Sequence, residues 1–474
     1  MAQIGRKTEN WSSRFAFIMA AVGSSVGLGN FWRFPYTAGE NGGGAFILIY
    51  ILCVLLIALP LLMAEYAMGR KSGMSAIEGV QSLARAESRS QNWGIAMWIG
   101  ALTGFFILTF YMVISSWLLA YIIEAVKGDL HGTTAAESGQ YFLNVIGQGE
   151  LPMQSRWYML MLLALFIVAN IVVVGRGVKG GLEKAATILM PLFFIMLIVV
   201  VGFAVTNGDT ARTFAFIFEP KWEDVGFKTL LAALGQSFFS IGVGVGLMIT
   251  YGAYLSKDTN IPRASGIIAA SDTFVALIAG FAIFPIVFAA GLDPASGPSL
   301  FFVSMPVAFE AIPGGSIFAI VFFSLALFAA FTSSISLMEV GVSWLEERDG
   351  VTRLGAATGV GVVLWLIGAG YVFGSEYLDF MDFITEGVLL PLGGLLAAIF
   401  AGWVLSRDML VSELGEGTLM NLWRFLMRWF VPPFIAVILV FGFLDKIQDQ
   451  YHVQLPGALE AMLGPNWVAP VVAE

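Results

Sequence analysis

Apolar residues fill this chain in long blocks, and polar residues gather in short stretches between them. Eleven blocks reach the length of about 20 residues that a helix needs to cross a bilayer. They lie at roughly 14–37, 44–69, 95–125, 157–175, 183–206, 228–255, 263–291, 315–346, 356–374, 380–405 and 424–445. The pattern predicts an all-α polytopic membrane protein with eleven transmembrane helices. Residues 1–13 form a polar lead-in, and residues 446–474 hold no apolar run of spanning length and read as a surface tail. The stretch 291–315 carries Pro294, Pro298, Pro306 and Pro313 and is too polar to span, so it predicts short helices capping the outer face.

Two of the blocks cannot be continuous helices. The first contains Gly23-Ser24-Ser25-Val26-Gly27-Leu28-Gly29-Asn30, followed by Phe31-Trp32-Arg33-Phe34-Pro35. Each glycine weakens a helix interior by about 1 kcal/mol relative to alanine, and the serines offer the backbone other hydrogen-bond partners. Arg33 then places a charge at a depth where charge is costly. The sixth block contains Ser240-Ile241-Gly242-Val243-Gly244-Val245-Gly246. Close helix packing through small residues is the plain alternative for either stretch alone. A Gly-x-Gly-x-Gly run without a preceding soluble strand is no dinucleotide loop. Two interruptions five blocks apart predict two five-helix repeats of opposite topology, 14–206 and 228–405, with helix 424–445 added. In such architectures the paired breaks mark a binding site near the membrane midplane.

Composition narrows the class further. The 474 residues are 58% hydrophobic and 12% charged, with a mean hydropathy of +0.84, far from the balance of soluble domains. One cysteine, Cys53, excludes an internal disulfide, and the two histidines, His131 and His452, lie in polar connections. If residue 1 lies in the cytoplasm, 17 Lys and Arg fall on the cytoplasmic side and 6 outside, with Arg33 completing the 24. That asymmetry favours a cytoplasmic N-terminus and, with eleven spans, an extracytoplasmic C-terminus. No cleavable signal peptide is evident. No nucleophile–base pair, metal cluster or phosphate loop argues for an enzyme, and nothing argues for nucleic-acid binding.

Several motifs are similar to those of one family. Val26-Gly27-Leu28-Gly29-Asn30-Phe31-Trp32-Arg33-Phe34-Pro35, Glu40-Asn41-Gly42-Gly43-Gly44-Ala45-Phe46, Gly235-Gln236-Ser237-Phe238-Phe239 and Thr332-Ser333-Ser334 resemble the neurotransmitter:sodium symporters, in their bacterial amino-acid transporter branch with the leucine-transporter fold. The resemblance extends over nearly the whole chain. It implies two bound sodium ions. The first would use Ser25, Asn30, Ser240 and a seventh-span side chain, Ser271 or Asp272; the second would use Gly23, Val26, Ala329, Thr332 and Ser333. Family members commonly carry asparagine at the seventh-span position. A carboxylate there could hold sodium directly or supply the negative charge that chloride provides in animal relatives, and either role predicts no chloride requirement.

The resemblance also implies a substrate seat. Amides of Leu28 and Gly29 and the Tyr111 hydroxyl would take a carboxylate, and carbonyls around Ser25, Phe239 and Ser240 an amine. Gly27 stands where monoamine carriers have an aspartate, so the substrate is expected to bring its own carboxylate. The side-chain pocket would be Ile107, Val245, Ser334 and Leu337 under Phe239, widened by Gly242 and Val245 where a leucine-selective relative has serine and a larger aromatic residue. Arg33 and Asp382 would form the outer gate with Gln236, and Trp11, Tyr254 and Glu347 the inner one, with Arg6, Lys7 and Thr8 around the usual basic partner. Glu65 is expected to brace the Asn41-Gly42-Gly43 loop, and Glu386 has no assigned role. The resulting expectation is a sodium-coupled symporter importing a neutral, hydrophobic or aromatic amino acid by alternating access. It would sit in a bacterial inner membrane as a monomer or weak dimer. A carrier of GABA, taurine or betaine remains the alternative, and an ion channel the remote one.

Overall fold

The glycine-marked interruptions define the architecture. In a computed structural model, residues 9–128, 134–146, 153–310, 312–374, 376–444 and 447 are described; Arg6, Lys7, Thr8, His131, His452 and the expected 446–474 tail, Ile447 apart, lie outside them. Every regular element among the described residues is helical. Helices α1 (Arg14–Ser25) and α2 (Gly29–Glu40) form one span bent by 48°. The continuous apolar helices are α3 (Gly44–Ser72), α4 (Gln91–Lys127), α5 (Ser155–Val174) and α6 (Val178–Asn207). After the second break come α9 (Ile261–Ala289), α10 (Gly315–Glu346), α11 (Arg353–Phe373), α12 (Tyr377–Val404) and α13 (Thr418–Gly442). Between the two sets lie α7 (Phe227–Ile241) and α8 (Leu247–Ala253). By length and composition nine helices suffice to cross a membrane, or ten with α1 and α2 joined, among the described residues. The expected eleventh is the sixth block, cut by its break into pieces of 15 and 7 residues that are each too short. A short apolar helix, Leu300–Glu310, lies in the proline-rich 291–315 stretch.

Local chemistry explains the ends. The Ser13 side chain accepts the Ala16 amide at the start of α1, and Asn260 accepts the Arg263 amide at the start of α9, with Pro262 in its first turn. α1 ends where Val26 turns extended, at φ −71° and ψ 108°. The α7–α8 break uses a backbone that L-residues resist: Gly242, Gly244 and Gly246 sit at φ +73°, +87° and +76°. Each would cost a side-chain-bearing residue about 1–2 kcal/mol.

The broken helices lie innermost. Val22, Val26, Phe31 and Phe34 of the first break and Ser237, Ile241 and Val243 of the second are buried. In α4, 78% of the most apolar stretch is buried, against 28% in α6 and α13, whose outer faces meet the lipid. α8 packs backbone to backbone on α3, where a Cβ on Gly252 would lie 2.8 Å from the Tyr66 carbonyl oxygen. The breaks are thus held between rigid walls.

Gly242 separates backbone strain from crowding, because an added Cβ would meet nothing nearer than Met248 Cε at 3.7 Å. Gly242→Ala should therefore cost about 1–2 kcal/mol through its φ alone. A thermal melt of the purified variant checks this; an unchanged Tm would mean that position 242 does not need the left-handed conformation.

Candidate functional site

The two breaks face each other across a small cavity between them. Ser25, Gly27 and Gly29 line it from the first break, and Phe239, Gly242 and Val245 from the second. Ile107 and Tyr111 of α4 and Ser333 and Leu337 of α10 complete the expected part of the wall. Ser24, Phe238, Leu247 and Leu390 also line it, and none of them was expected in the pocket. Ser334 was expected in this pocket but is turned away. Its hydroxyl donates to Asn170 Oδ1 of α5 at 2.8 Å, and a buried asparagine in a spanning helix was the signal available.

Around Gly27 the polar groups converge. The Leu28 amide donates to the Tyr111 hydroxyl at 3.2 Å. A Cβ on Gly27 would fall 2.8 Å from that hydroxyl and 2.6 Å from Ser333 Oγ, so a side chain at position 27 would have to displace both groups. The seat can serve a guest group with oxygens of its own.

Two oxygen-rich clusters flank the cavity. In the first, Asn30 donates to Ser240 Oγ at 3.1 Å and to Asp272 Oδ1 at 2.9 Å, and accepts the Gly27 amide at 2.9 Å. Ser240 donates to Asp272 Oδ2 at 2.7 Å, and the Tyr50 hydroxyl reaches the same oxygen at 3.3 Å. Asp272 is fully buried, and these three donors are the partners such a carboxylate requires. Of the two seventh-span candidates, Asp272 joins the cluster. Ser271 lies about 100° around the helix, is half-buried and shares no hydrogen bond with the cluster. In the second cluster Ser333 Oγ lies 3.4 Å from the Gly23 carbonyl and 3.3 Å from that of Val26, while Thr332 Oγ1 donates to the Ala329 carbonyl at 3.1 Å. Carbonyls and hydroxyls without a fixed charge suit a weakly held monovalent cation.

The closures at the two ends differ from the expected ones. Arg33 forms its ion pair with Glu386, not Asp382, and its guanidinium lies over the Phe239 ring at 4.8 Å. Asp382 remains within electrostatic reach of Arg33. The reason is local: α12 widens into a π turn at Thr385–Leu389 that contains Glu386, and a regular-helix count does not foresee that rotation. Gln236 donates to the Gly29 carbonyl at 2.9 Å, tying the outer halves of the broken spans together. At the opposite end Trp11 donates to the Tyr251 carbonyl at 3.3 Å and packs edge-on against Tyr251 and Tyr254. The Tyr254 hydroxyl donates to Glu339 at 2.8 Å, and Glu339 pairs with Arg353. Glu347 instead accepts the Ser75 amide at 2.9 Å, capping the helix Ala76–Ala86. Glu339 was missed; a fully buried acid in the interior of α10 was its signal.

Glu65 also departs from expectation. Asn41 and Gly43 are satisfied within their own segment, by the carbonyls of Thr37 and Ala38. Glu65 Oε1 accepts the Gly244 amide at 2.6 Å, so it braces the second break.

This arrangement has counterparts among known proteins. A family model described as the sodium:neurotransmitter symporter family matches residues 8–142 and 140–469. The chain is 36% identical over 452 residues to the uncharacterized sodium-dependent transporter YhdH of Bacillus subtilis, covering 92% of this chain and 97% of that protein. It is 33% identical to an uncharacterized sodium-dependent transporter of Haemophilus influenzae, covering 93% and 99% respectively. Among solved structures, the crystal structure of MhsT in complex with L-phenylalanine superposes with a TM-score of 0.83 at 38% identity, covering 91% of this chain and 99% of that one.

The outer closure can be tested by a double-mutant cycle. Arg33→Gln and Glu386→Gln should show a coupling of about 1–3 kcal/mol in unfolding free energy, and Arg33→Gln with Asp382→Asn less than half of that. Equal coupling for both acids would return Asp382 to the pair.

Proposed function

Because the chain belongs to the sodium:neurotransmitter symporter family, we propose that it imports a neutral, hydrophobic or aromatic amino acid together with two sodium ions. The observation that carries the substrate class is Gly27: the seat beside it holds an amide and a hydroxyl, and position 27 brings no carboxylate of its own. An α-carboxylate fits there, where the positive end of the short helix α2 also favours it. Carbonyls of the broken segments take the α-amine, and Ile107, Val245 and Leu337 give an apolar seat for the side chain. The L-phenylalanine held in the crystal structure of MhsT is of this size class.

One sodium ion belongs at Ser25, Asn30, Ser240 and Asp272, next to the substrate carboxylate. The other belongs at Gly23, Val26, Ala329, Thr332 and Ser333. Asp272 supplies fixed negative charge at the first, so transport needs no chloride. Each ion that favours the occluded state raises substrate affinity, and the substrate raises ion affinity by the same factor. An inward sodium gradient then drives uptake. The breaks in α1–α2 and α7–α8 act as hinges within the two repeats, 14–206 and 228–405, and the Arg33–Glu386 and Trp11–Tyr254 closures open in turn. The chain sits in a bacterial inner membrane with its N-terminus in the cytoplasm and its C-terminus outside, as a monomer or weak dimer.

Binding of the twenty amino acids, with GABA, taurine and betaine, to purified protein in sodium and in potassium tests this directly. Sodium-dependent binding of one hydrophobic or aromatic class is expected. Binding of the ω-amino acids or betaine alone would overturn the substrate class. Asn30→Ala and Thr332→Ala should each weaken sodium-dependent binding about tenfold or more, near 1.4 kcal/mol; unaltered sodium dependence in both would remove the two ion sites.

Asp272→Asn separates the charge from the shape of the first cluster. Uptake into proteoliposomes should fall, or become dependent on added chloride. Full uptake without chloride would take Asp272 out of the mechanism.

A further inference from the structure

The segment 242–246 between α7 and α8 is tied to the helices only at its ends, by the Gly242 amide to the Phe238 carbonyl and the Thr250 amide to the Gly246 carbonyl, so the position of its middle depends on its neighbours. On one side it hangs from a single hydrogen bond, the Gly244 amide to Glu65 Oε1; the second oxygen of Glu65 is buried without a hydrogen-bond partner among the described residues. On the other side the Gly244 carbonyl is wedged between α4 and α12, against two residues that both lack a Cβ. A Cβ on Gly100 would lie 2.7 Å from that oxygen, and one on Gly393 would come closer still. A Cβ on Gly393 would also lie 3.5 Å from the Gly100 Cα, so the two glycines oppose each other around one carbonyl. Gly394 backs the same peptide, its own nitrogen 2.9 Å from where a Gly244 Cβ would be.

The next residue, Val245, lines the substrate cavity. Behind it stands Gly104, one helical turn from Gly100. A Cβ there would lie 3.4 Å from Val245 Cβ and 3.7 Å from Leu337 Cδ2. Gly104 stands against both of these lining residues without lining the cavity itself. α4 and α12 are continuous helices and yield less than five residues of irregular backbone. An added methyl on this wall is therefore absorbed by the segment, and Val245 shifts with it.

We propose that Gly100, Gly104 and Gly393 set the upper size limit of the bound side chain by fixing how far Val245 stands back from the cavity. They are positioning residues, since none of them touches the guest. The inference rests on the amino-acid reading above and adds the determinant of its size class. The wall residues act through Val245, so their effect depends on substrate size, whereas plain damage to the fold weakens every substrate alike.

The test is sodium-dependent binding of L-tryptophan, L-phenylalanine, L-valine and L-alanine to the full-length protein and to Gly100→Ala, Gly393→Ala and Gly104→Ala. Gly100→Ala and Gly393→Ala should lower the tryptophan-to-alanine affinity ratio about tenfold, the scale on which one methylene is discriminated in an apolar pocket. Adding Val245→Ala to Gly100→Ala should restore most of the ratio. A ratio unchanged in all variants, an equal loss for all four substrates, or no recovery with Val245→Ala would overturn the proposal. If the two crowded variants do not fold, Gly104→Ala decides, because its added carbon falls at ordinary contact distance. A fall in the ratio of about threefold or more supports the proposal, and a smaller change overturns it. If the unaltered protein binds no amino acid in sodium, the functional reading itself falls, which is a different result from an unchanged ratio.

Discussion

Backbone that leaves the helical ladder inside a membrane must find its hydrogen bonds within the protein, because lipid offers none. This chain breaks two of its spans at the centre of the molecule, and the rest of the structure answers that demand. The Gly244 amide goes to Glu65, the Gly27 amide to Asn30 and the Leu28 amide to Tyr111. The freed carbonyls of Gly23 and Val26 face Ser333, and the Ile241 carbonyl takes the Ser25 hydroxyl. The hydroxyl-to-carbonyl contacts reach 3.2–3.4 Å, long for such bonds. Groups that satisfy the breaks only loosely are groups that a cation or a carboxylate can take over. The structural requirement and the binding chemistry thus fall on the same atoms.

That coincidence explains what the sequence made legible. Glycines in these two spanning segments argued against a continuous helix, so both breaks could be located, and Gly242, Gly244 and Gly246 all adopt left-handed backbone there. Thr332 and Ser333 were visible as polar residues in an apolar run, whereas Asn30 and Ser240 were reached through the family resemblance. The charged pairs were not legible, because rotation and depth decide them. Glu386 and Asp382 sit one turn apart, and a π turn in α12 selects the former. Glu347 lies just past the end of α10, where the start of a neighbouring short helix offered an uncapped amide. Glu65 was expected at the 41–43 loop, but that loop closes on its own carbonyls and leaves the acid for Gly244. Each misreading is a choice among tertiary partners, which spacing along one helix does not contain.

The two ends are closed by different physics. The outer closure is one ion pair and a guanidinium stacked on Phe239. The inner one joins a three-ring aromatic cluster, the buried Glu339–Arg353 pair and two contacts that anchor the lead-in segment: Ser12 to Glu183, and Glu9 to the Val178 amide.

The links from these closures to the centre also differ. Phe239 lines the cavity and carries Arg33 on its ring, so an occupant of the cavity bears on the outer closure through one side chain. The inner closure meets the cavity through α8, where Tyr251 stands one turn from the lining residue Leu247, and it also reaches the second oxygen cluster. Its connection runs from Trp11 to the Tyr251 carbonyl at 3.3 Å, from the Tyr251 hydroxyl to Ser336 at 2.6 Å, and from Ser336 to the Thr332 carbonyl at 2.7 Å. Thr332 belongs to the second oxygen cluster, beside Ser333. On the proposed assignment, a guest in the cavity would bear on both closures and an ion in that cluster on the inner one. A ligand shifts a conformational balance only by its difference in affinity for the two states. Guest and ion bound together would therefore favour the state with both ends shut, which is the occluded state that coupling requires.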